Sequence, residues 1–397
     1  MRIGINGYEA VVPRLGYEEN GLPKRVGSGE YCYQLLVNLN RIDKKNEYLI
    51  YLPKEPTSDL PKESSTWHYK IVKKRSKWNL FDLSFAFFKR ERLDVFFSPT
   101  HYLPLFLPFP SVISILDLSY LKFPSLFKKR DLYQLKIWGR YSISKAKKIL
   151  TISDSSRNDI IKEYGIPDGK VAVTYPGVKS QIPNHKFQIN SKNKMQNSKL
   201  IKEKYGIEGD YILFVGTLQP RKNVSALIEA FAQTQKNTKQ NTELRGKDRP
   251  LQLVIIGRKG WQYEDILESP KKFNIEDRVK FLENVTDEDL PLFYKNALCF
   301  VLPSLYEGFG LPVLEAMQNG CPVITSNTSS LPEAGGDAAL YVDPKDANDI
   351  SDKIQKLISN KKLRDDMIEK GYKQVKKFSW EKTAEETLKV LEEAAKK

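Results

Sequence analysis

Two short segments of the chain gather most of the residue types that could do chemistry. The first, Ser304-Leu-Tyr-Glu-Gly-Phe-Gly-Leu-Pro-Val-Leu-Glu-Ala-Met, runs out of an apolar stretch and sets Glu307 and Glu315 around two glycines. Gly308 and Gly310 break the chain between Glu307 and Leu311, and Pro312 suits the first turn of a helix. Glu307 is therefore expected in a loop and Glu315 in a first helical turn. A helix start offers unpaired N–H groups that favour anions, and a glycine loop lets a diphosphate approach closely. The Glu315 carboxylate can accept both hydroxyls of a ribose, and Glu307 can accept sugar hydroxyls. An ordinary strand-to-helix turn with a dipole-stabilised Glu has the same appearance, so these residues alone leave both readings open.

The second segment, Phe214-Val-Gly-Thr-Leu-Gln-Pro-Arg-Lys-Asn, also lies between a strand and a helix. Adjacent cations there can neutralise a leaving diphosphate, Arg221 through a bidentate fork and Lys222 as a point charge. Taken alone, a pair of solvated bases at a turn is the better reading. A third pattern, Asp287-Glu-Asp289, has the spacing of a metal-binding Asp-x-Asp. Residues 286–289 read better as a helix N-cap with acidic first-turn residues, so no required metal is expected.

Positioning these segments falls to short β-rich runs that alternate with amphipathic stretches, the pattern of parallel sheets covered by helices. Strands are expected at 2–6, 47–52, 95–98, 111–116, 148–152 and 171–174, then at 211–216, 251–257, 279–282, 297–302 and 322–326. Helical spacing marks 28–40 and 126–147 in the first half, and 347–359, 362–376 and 380–395 at the end. A polar stretch near 179–204 reads as an interdomain linker, and another at 233–249 as a surface loop or frayed helix end. Two doubly wound domains facing across a cleft are the simplest assembly, and open α/β sheets bind ligands beyond the carboxyl ends of their strands.

At 397 residues the chain is too long for one ordinary core, and 40% hydrophobic with 28% charged residues is a globular composition. The first residues lack the order of a signal peptide. The most apolar stretch, 95–121, is cut by Pro99, Pro104, Pro108 and Pro110 and carries His101 and Asp117, so it is no clean membrane span. Cys32, Cys299 and Cys321 read as buried thiols of a reducing compartment, which makes the cytoplasm the expected location. On that reading the sequons at Asn223, Asn284 and Asn327 are chance. The net charge of +15 is uneven: residues 70–148 hold 17 Lys or Arg against 5 Asp or Glu. Such a surplus suits an anionic bilayer, a nucleic acid or a phosphorylated acceptor, and equally a merely solvated face. Phe81, Phe85, Phe87 and Phe88, near Lys89 and Arg90, would suit a lipid-linked glycan at a membrane, or a plain helix core.

Together the two segments resemble the GT-B glycosyltransferases of family 4, the large retaining group that includes bacterial mannosyl- and glucosyltransferases. Further similarity runs in order through Gly27-Ser-Gly-Glu-Tyr, Asp117-Leu-Ser, Thr151-Ile-Ser-Asp-Ser-Ser, Tyr175-Pro-Gly-Val and Leu331-Pro-Glu-Ala-Gly-Gly-Asp-Ala-Ala, covering nearly the whole chain. The resemblance implies a GT-B fold of two Rossmann-like domains: an acceptor domain at 1–180 with a final helix near 380–397 returning to it, a linker at 181–204 and a donor domain at 205–379. It implies a nucleotide diphosphate sugar as donor, of GDP-mannose or UDP-glucose type, a glycan or lipid-linked glycan acceptor, no required cofactor and no nucleic acid. A cytoplasmic protein, peripheral to the anionic inner face of the plasma membrane, is expected.

The resemblance also assigns roles. Arg221 and Lys222 would hold the diphosphate, with Gly216 and Thr217 in the same turn. Glu307 and the backbone of Gly308, Phe309, Gly310 and Leu311 would grip sugar and phosphate, and Glu315 the ribose. Arg258, Asn284 and Val285 would flank the base, and Gly27 and Gly29 would line the amino-terminal side. Asp117 would join Arg221, Lys222 and Glu307 at the reacting centre. One departure stands out: in many relatives a His precedes the Asp of the Asp-Leu-Ser segment, and here that position is Leu116. Of the three histidines, His68, His101 and His185, only His101 is placed to substitute, and a non-catalytic surface His is the better reading of it. The roles argue against a hydrolase, whose two carboxylates must flank one glycosidic bond. A catalytically inactive nucleotide-sugar-binding protein and a UDP-sugar epimerase of GT-B fold are the alternatives.

Overall fold

A computed structural model of the chain describes residues 1–12, 18–19, 22–75, 77–88, 91–178, 201, 203–240 and 251–396. The chain divides into two compact units, Met1–Gly177 with Phe378–Lys397, and Val178–Lys377. Much of the expected linker (179–200 and 202), together with 241–249 of the polar insert, Lys89, Arg90 and His185, lies outside the described residues. The helix Val224–Gln240 runs into that insert.

The first unit has β1 (Arg2–Asn6), a two-residue ribbon β2 (Glu18–Glu19) with β3 (Leu22–Pro23), then β4 (Glu47–Leu52), β5 (Trp67–Ile71), β6 (Val95–Ser98), β7 (Ser111–Ser114), β8 (Lys148–Thr151) and β9 (Val171–Val173). Seven of these form a parallel sheet in the order β5-β4-β1-β6-β7-β8-β9. Period-two alternation sends Ile5, Ile50, Phe97, Val112 and Leu150 into one apolar layer, and Tyr51, Phe96, Ile113 and Ile149 into the other. The helices Ser28–Ile42 and Trp380–Ala395 cover the first layer, and Asp82–Phe87, Arg140–Lys145 and Asp154–Tyr164 the second. A sheet buried on both faces explains why its central strands read as apolar runs.

The second unit repeats the scheme with β10 (Tyr211–Val215), β11 (Gln252–Ile256), β12 (Val279–Leu282), β13 (Cys299–Leu302), β14 (Val323–Ser326) and β15 (Ala339–Val342). All six are parallel, in the order β12-β11-β10-β13-β14-β15. Cys32, Cys299 and Cys321 are buried free thiols, and burial raises all three well above the ordinary thiol range.

Besides the two-residue ribbon β2 and β3, two strands of the parallel sheets escaped the sequence reading, the edge strands β5 and β15. Trp67-His-Tyr-Lys-Ile is broken by polar residues on a half-exposed edge, whereas Ala339-Leu-Tyr-Val is apolar but only four residues long, too short for periodicity to mark it as a strand. The single helix expected over 126–147 is a 3-10 turn Pro124–Leu126, then α-helical Lys129–Gln134 and Arg140–Lys145 joined by a π-helical turn, Leu135–Gly139. Apolar spacing of about 3.6 does not distinguish a helix from one with a single wide turn.

The final helix, Trp380–Ala395, starts on Ser379, whose Oγ accepts the Lys382 N–H at 3.1 Å. It buries Trp380, Thr383, Ala384, Thr387, Leu391 and Ala394 along one face. Thr383 Oγ1 donates to Tyr175 O at 2.6 Å, beside the point where two stretches of backbone cross. At that crossing a Cβ on Gly177 would lie 2.1 Å from Trp380 N. Gly177→Ala is expected to destabilise the first unit by about 1–3 kcal/mol or more, because backbone must shift to admit the methyl group; urea unfolding followed by circular dichroism reads the loss.

Candidate active site

In the second unit the strand order reverses between β10 and β13. At such a switch point the connections from the carboxyl ends of the two strands run on to opposite sides of the sheet, which makes this edge the place where an open α/β sheet takes a ligand. Both segments singled out in the sequence leave the sheet here. After β10 the chain makes a 3-10 turn, Pro220–Lys222, and passes through Asn223 in a left-handed conformation with φ 58°. After β13 it runs through 303–310 into the helix Leu311–Gln318.

Backbone and side-chain bonds join the two loops. Leu305 N donates to Arg221 O at 2.8 Å, and Asn223 Nδ2 donates to Pro303 O at 3.1 Å and Pro344 O at 2.5 Å. Asn is among the few residues that take up the left-handed region readily, so one side chain both turns the chain and ties it down.

The tie brings three charges together. Lys222 Nζ lies 2.5 Å from Glu307 Oε1, and Arg221 Nη1 lies 3.0 Å from Oε2 while also donating to Tyr306 O at 2.9 Å. Ser304 Oγ donates to Oε1 at 2.7 Å. With its amide turned so that the oxygen faces the guanidinium, Gln219 accepts from Arg221 Nη2 and Nε at 3.1 and 3.0 Å. Glu307 is 6% and Lys222 7% exposed. Burial by itself would raise the Glu307 carboxyl, but the charges of Lys222 and Arg221 outweigh it and hold the group down to about 2. Its backbone is fixed as well: Glu307 N donates to Ser329 Oγ at 3.0 Å, and Ser330 Oγ donates to Glu307 O at 2.8 Å.

Gly308, Phe309 and Gly310 are buried, and Leu311 opens the helix. Gly310 is needed on two counts: its φ is +103°, and a Cβ would lie 2.8 Å from Leu331 Cδ2. Glu315 does not lie in the first turn as expected. The helix starts at Leu311, which leaves Glu315 one turn in, where its carboxylate accepts from Tyr294 Oη at 3.1 Å. Helical side chains lean toward the N-terminus, so Glu315 still covers surface on the loop side.

Gly216 and Thr217 follow β10, Arg258 follows β11, and Asn284 and Val285 follow β12, so all lie along this same edge. Leu218 N donates to Arg258 O at 2.8 Å, and a Cβ on Gly257 would come within 1.8 Å of Gly216 O; only glycine lets the two loops run side by side. The acidic residues 287–289 are not in a first helical turn either. That helix starts at Leu290, and Asp289 N donates to Thr286 Oγ1 at 3.2 Å in the turn before it. The Asp289 carboxylate takes Lys204 Nζ and Tyr205 Oη, each at 2.6 Å.

Gly27, Gly29 and Asp117 belong to the first unit. Gly27, at φ +55°, precedes the helix Ser28–Ile42, and a Cβ on Gly29 would lie 3.1 Å from Glu9 O. Ser28 Oγ donates to Glu9 Oε2 at 3.0 Å, joining this helix start to the turn after β1. Asp117 Oδ1 accepts Ser119 N at 2.8 Å, and its carbonyl oxygen lies 3.4 Å from His101 Nε2. Leu116 packs against the apolar layer of the final helix. Sequence reasoning missed Ser304, Gln219, Ser329, Ser330 and Tyr294. Ser304 and Gln219 stood inside the motifs already quoted, whereas the spacing of the other three carries no chemical signal.

Removing the carboxylate would take the Glu307 charge away from two cations, one of them the buried Lys222. Glu307→Gln is expected to cost ~3–5 kcal/mol of stability at pH 7. Because the folded carboxyl is depressed from 4.5 to about 2, its contribution is complete above about pH 4.5 and is lost as the pH falls toward 2. The difference between wild type and variant should therefore shrink at pH 3, measured by thermal unfolding at both values.

Comparison with known proteins agrees with this fold. Residues 197–374 match the family described as Glycosyl transferases group 1, and residues 27–181 match Glycosyltransferase Family 4. The chain is 33% identical over 296 residues to O-antigen chain mannosyltransferase B of Escherichia coli, covering 74% of this chain and 73% of that one. Sucrose-phosphate synthase from Thermosynechococcus elongatus has a similar fold, with a TM-score of 0.69 at 18% identity over 99% of this chain and 98% of the other. Anabaena HepE in complex with UDP-glucose gives 0.69 at 16% identity over 99% and 100%. The two parallel-sheet units are those of the GT-B fold, and the chain belongs to glycosyltransferase family 4.

Proposed function

We propose that the chain moves a hexose of mannose or glucose type from a GDP- or UDP-sugar to a glycan or lipid-linked glycan, with retention of anomeric configuration and no required metal. The observation that carries this reading is the pair of cations held by one buried carboxylate at the switch point of the second sheet. Similarity to an O-antigen chain mannosyltransferase favours mannose, and a neighbour of the same fold holds UDP-glucose, so both donor types are to be tested.

A leaving diphosphate accumulates negative charge as the sugar bond breaks. Arg221 offers a delocalised positive charge and Lys222 a compact one, and Glu307 keeps both oriented before substrate arrives, so stabilising the leaving group needs little reorganisation. The N–H groups that open the helix at Leu311 add positive potential, and buried Gly308 and Gly310 let phosphate oxygens approach. Glu315 accepts the ribose hydroxyls, and Gly216, Thr217, Arg258, Asn284 and Val285 line the path to the base. The acceptor hydroxyl attacks on the face the diphosphate leaves, and a diphosphate oxygen takes its proton, which retains configuration without an enzyme nucleophile. The first unit is assigned the acceptor, with Gly27 and Gly29 near the sugar phosphates or the acceptor and Asp117 at the reacting centre, and peripheral contact with an anionic membrane completes the reading.

Transfer from GDP-mannose and UDP-glucose to a panel of lipid-pyrophosphate-linked oligosaccharides, in excess chelator, tests it. One donor should release nucleotide and give a product whose anomeric proton has the donor's configuration, and Arg221→Ala should lower kcat roughly 10²–10³-fold. An inverted product, or turnover abolished by chelator, would remove the corresponding part of the proposal. Donor binding without nucleotide release in the presence of any acceptor would favour the binding-protein alternative that Leu116 suggests.

A further inference from the structure

Burial sorts the phenylalanines of residues 81–88 into two groups. Phe87 is core, 2% exposed, with ring centroids of Tyr51, Phe96 and Phe109 at 5.2, 5.1 and 5.7 Å. Phe81, Phe85 and Phe88 face solvent, at 38%, 68% and 60% exposed. From a different part of the chain Phe106, 40% exposed, stacks on Phe88 with centroids 4.3 Å apart and planes within 3°.

This aromatic surface is firmly built. Phe106 N donates to Ser84 Oγ at 3.0 Å, Ser84 Oγ donates to Leu80 O at 2.5 Å, and Leu105 N donates to the same carbonyl at 3.1 Å. Tyr141 Oη donates to Leu105 O at 2.9 Å, adding a third segment. Scattered exposed apolar residues need no explanation, but rings stacked in a fixed patch on a folded scaffold mark a surface that is covered in use.

The rim identifies the cover. Exposed Lys73, Arg75 and Lys77 precede the helix Asp82–Phe87 and fold onto its start: Leu80 N and Phe81 N both donate to Lys77 O at 2.9 Å, and Arg75 N donates to Asp82 Oδ2 at 2.9 Å. The two carboxylates within residues 72–93 face inward or are engaged, and the exposed Asp94 that follows them accepts the Arg2 N–H at 2.7 Å. Asp82 is buried, and Glu91 binds Lys70 and Tyr51. The patch is therefore aromatic at its centre and cationic at its edge, without exposed acid among the described residues 72–93. A second copy would bring like-charged rims together, whereas an anionic lipid surface matches both parts.

We propose that this face docks on an anionic bilayer, with Phe81, Phe85, Phe88 and Phe106 entering the boundary between headgroups and acyl chains and with Lys73, Arg75 and Lys77 meeting lipid phosphates. The inference rests on the membrane part of the proposed function and names the surface that carries it. Contact of this kind is peripheral, resting on buried aromatic area together with attraction to anionic headgroups.

Flotation with vesicles of equal parts phosphatidylglycerol and phosphatidylcholine, and with pure phosphatidylcholine, tests it on wild type and on Phe85→Ser/Phe88→Ser and Lys73→Glu/Lys77→Glu variants. The wild type should float with the anionic vesicles alone, and less so as salt rises. The phenylalanine variant should partition ~10-fold or more weakly, because two exposed rings no longer leave water. The charge variant should lose its preference for anionic lipid. Near-ultraviolet circular dichroism and nucleotide titration confirm that each variant stays folded, and they read the donor site separately from the membrane. No flotation of wild type overturns both the membrane reading and this surface; unchanged flotation of the phenylalanine variant overturns the surface alone. A concentration-dependent dimer that this variant dissociates, without flotation, would assign the rings to a second copy.

Discussion

One buried carboxylate sets the terms for the second unit. Glu307 is nearly out of contact with water, and a bare carboxylate there would take up a proton. It stays ionised because Lys222 and Arg221 reach it from a different loop, and they in turn are positioned because it is there. The cluster carries a net positive charge, from two cations and one anion, in a place where an anion can be met with little reorganisation. A buried pair of this kind is weak evidence for stability by itself. Its value lies in holding an Arg and a Lys in a fixed arrangement at the edge where the sheet takes ligands.

The rest of the unit serves to make that meeting of loops possible. Strand order decides that the segments after β10 and β13 leave the sheet side by side, and Asn223 and the Leu305–Arg221 bond convert neighbourhood into a fixed joint. Glycines admit the close approaches: Gly257 lets the loop after β11 lie against Gly216, and Gly310 turns the chain where Leu331 leaves no room for a side chain. In the first unit the same device works at a distance in sequence, where Gly177 admits the backbone of Ser379 and Trp380 and so lets the last helix seal the sheet.

The central strands were legible because burial on both faces writes a continuous apolar run, as in Phe96-Phe97 or Val254-Ile255-Ile256. Of the four edge strands, β9 and β12 were legible while β5 and β15 were not: polar residues break β5, and β15 is a run of only four residues. Arg221, Lys222 and Glu307 were legible as residues with a chemistry, yet their mutual contact was not, because it joins loops about eighty residues apart through a strand order that sequence does not state. Glu315 was placed a turn too early, since Pro312 marks the start of a helix only to within a residue or two. For the phenylalanines of 81–88, spacing left core and surface equally open; the contacts of Phe87 with Phe96 and of Phe88 with Phe106 divide them.

The claim at the centre is that Arg221 and Lys222, held by Glu307, form the seat of a diphosphate. Calorimetric titration of GDP and of UDP into the wild type and Arg221→Ala, without added metal and at two salt concentrations, tests it most directly. Binding of one nucleotide that weakens tenfold or more in the variant, and weakens further as salt rises, is the predicted result. Equal affinity of folded wild type and variant for the nucleotide would contradict the claim and leave the charge cluster as a structural joint.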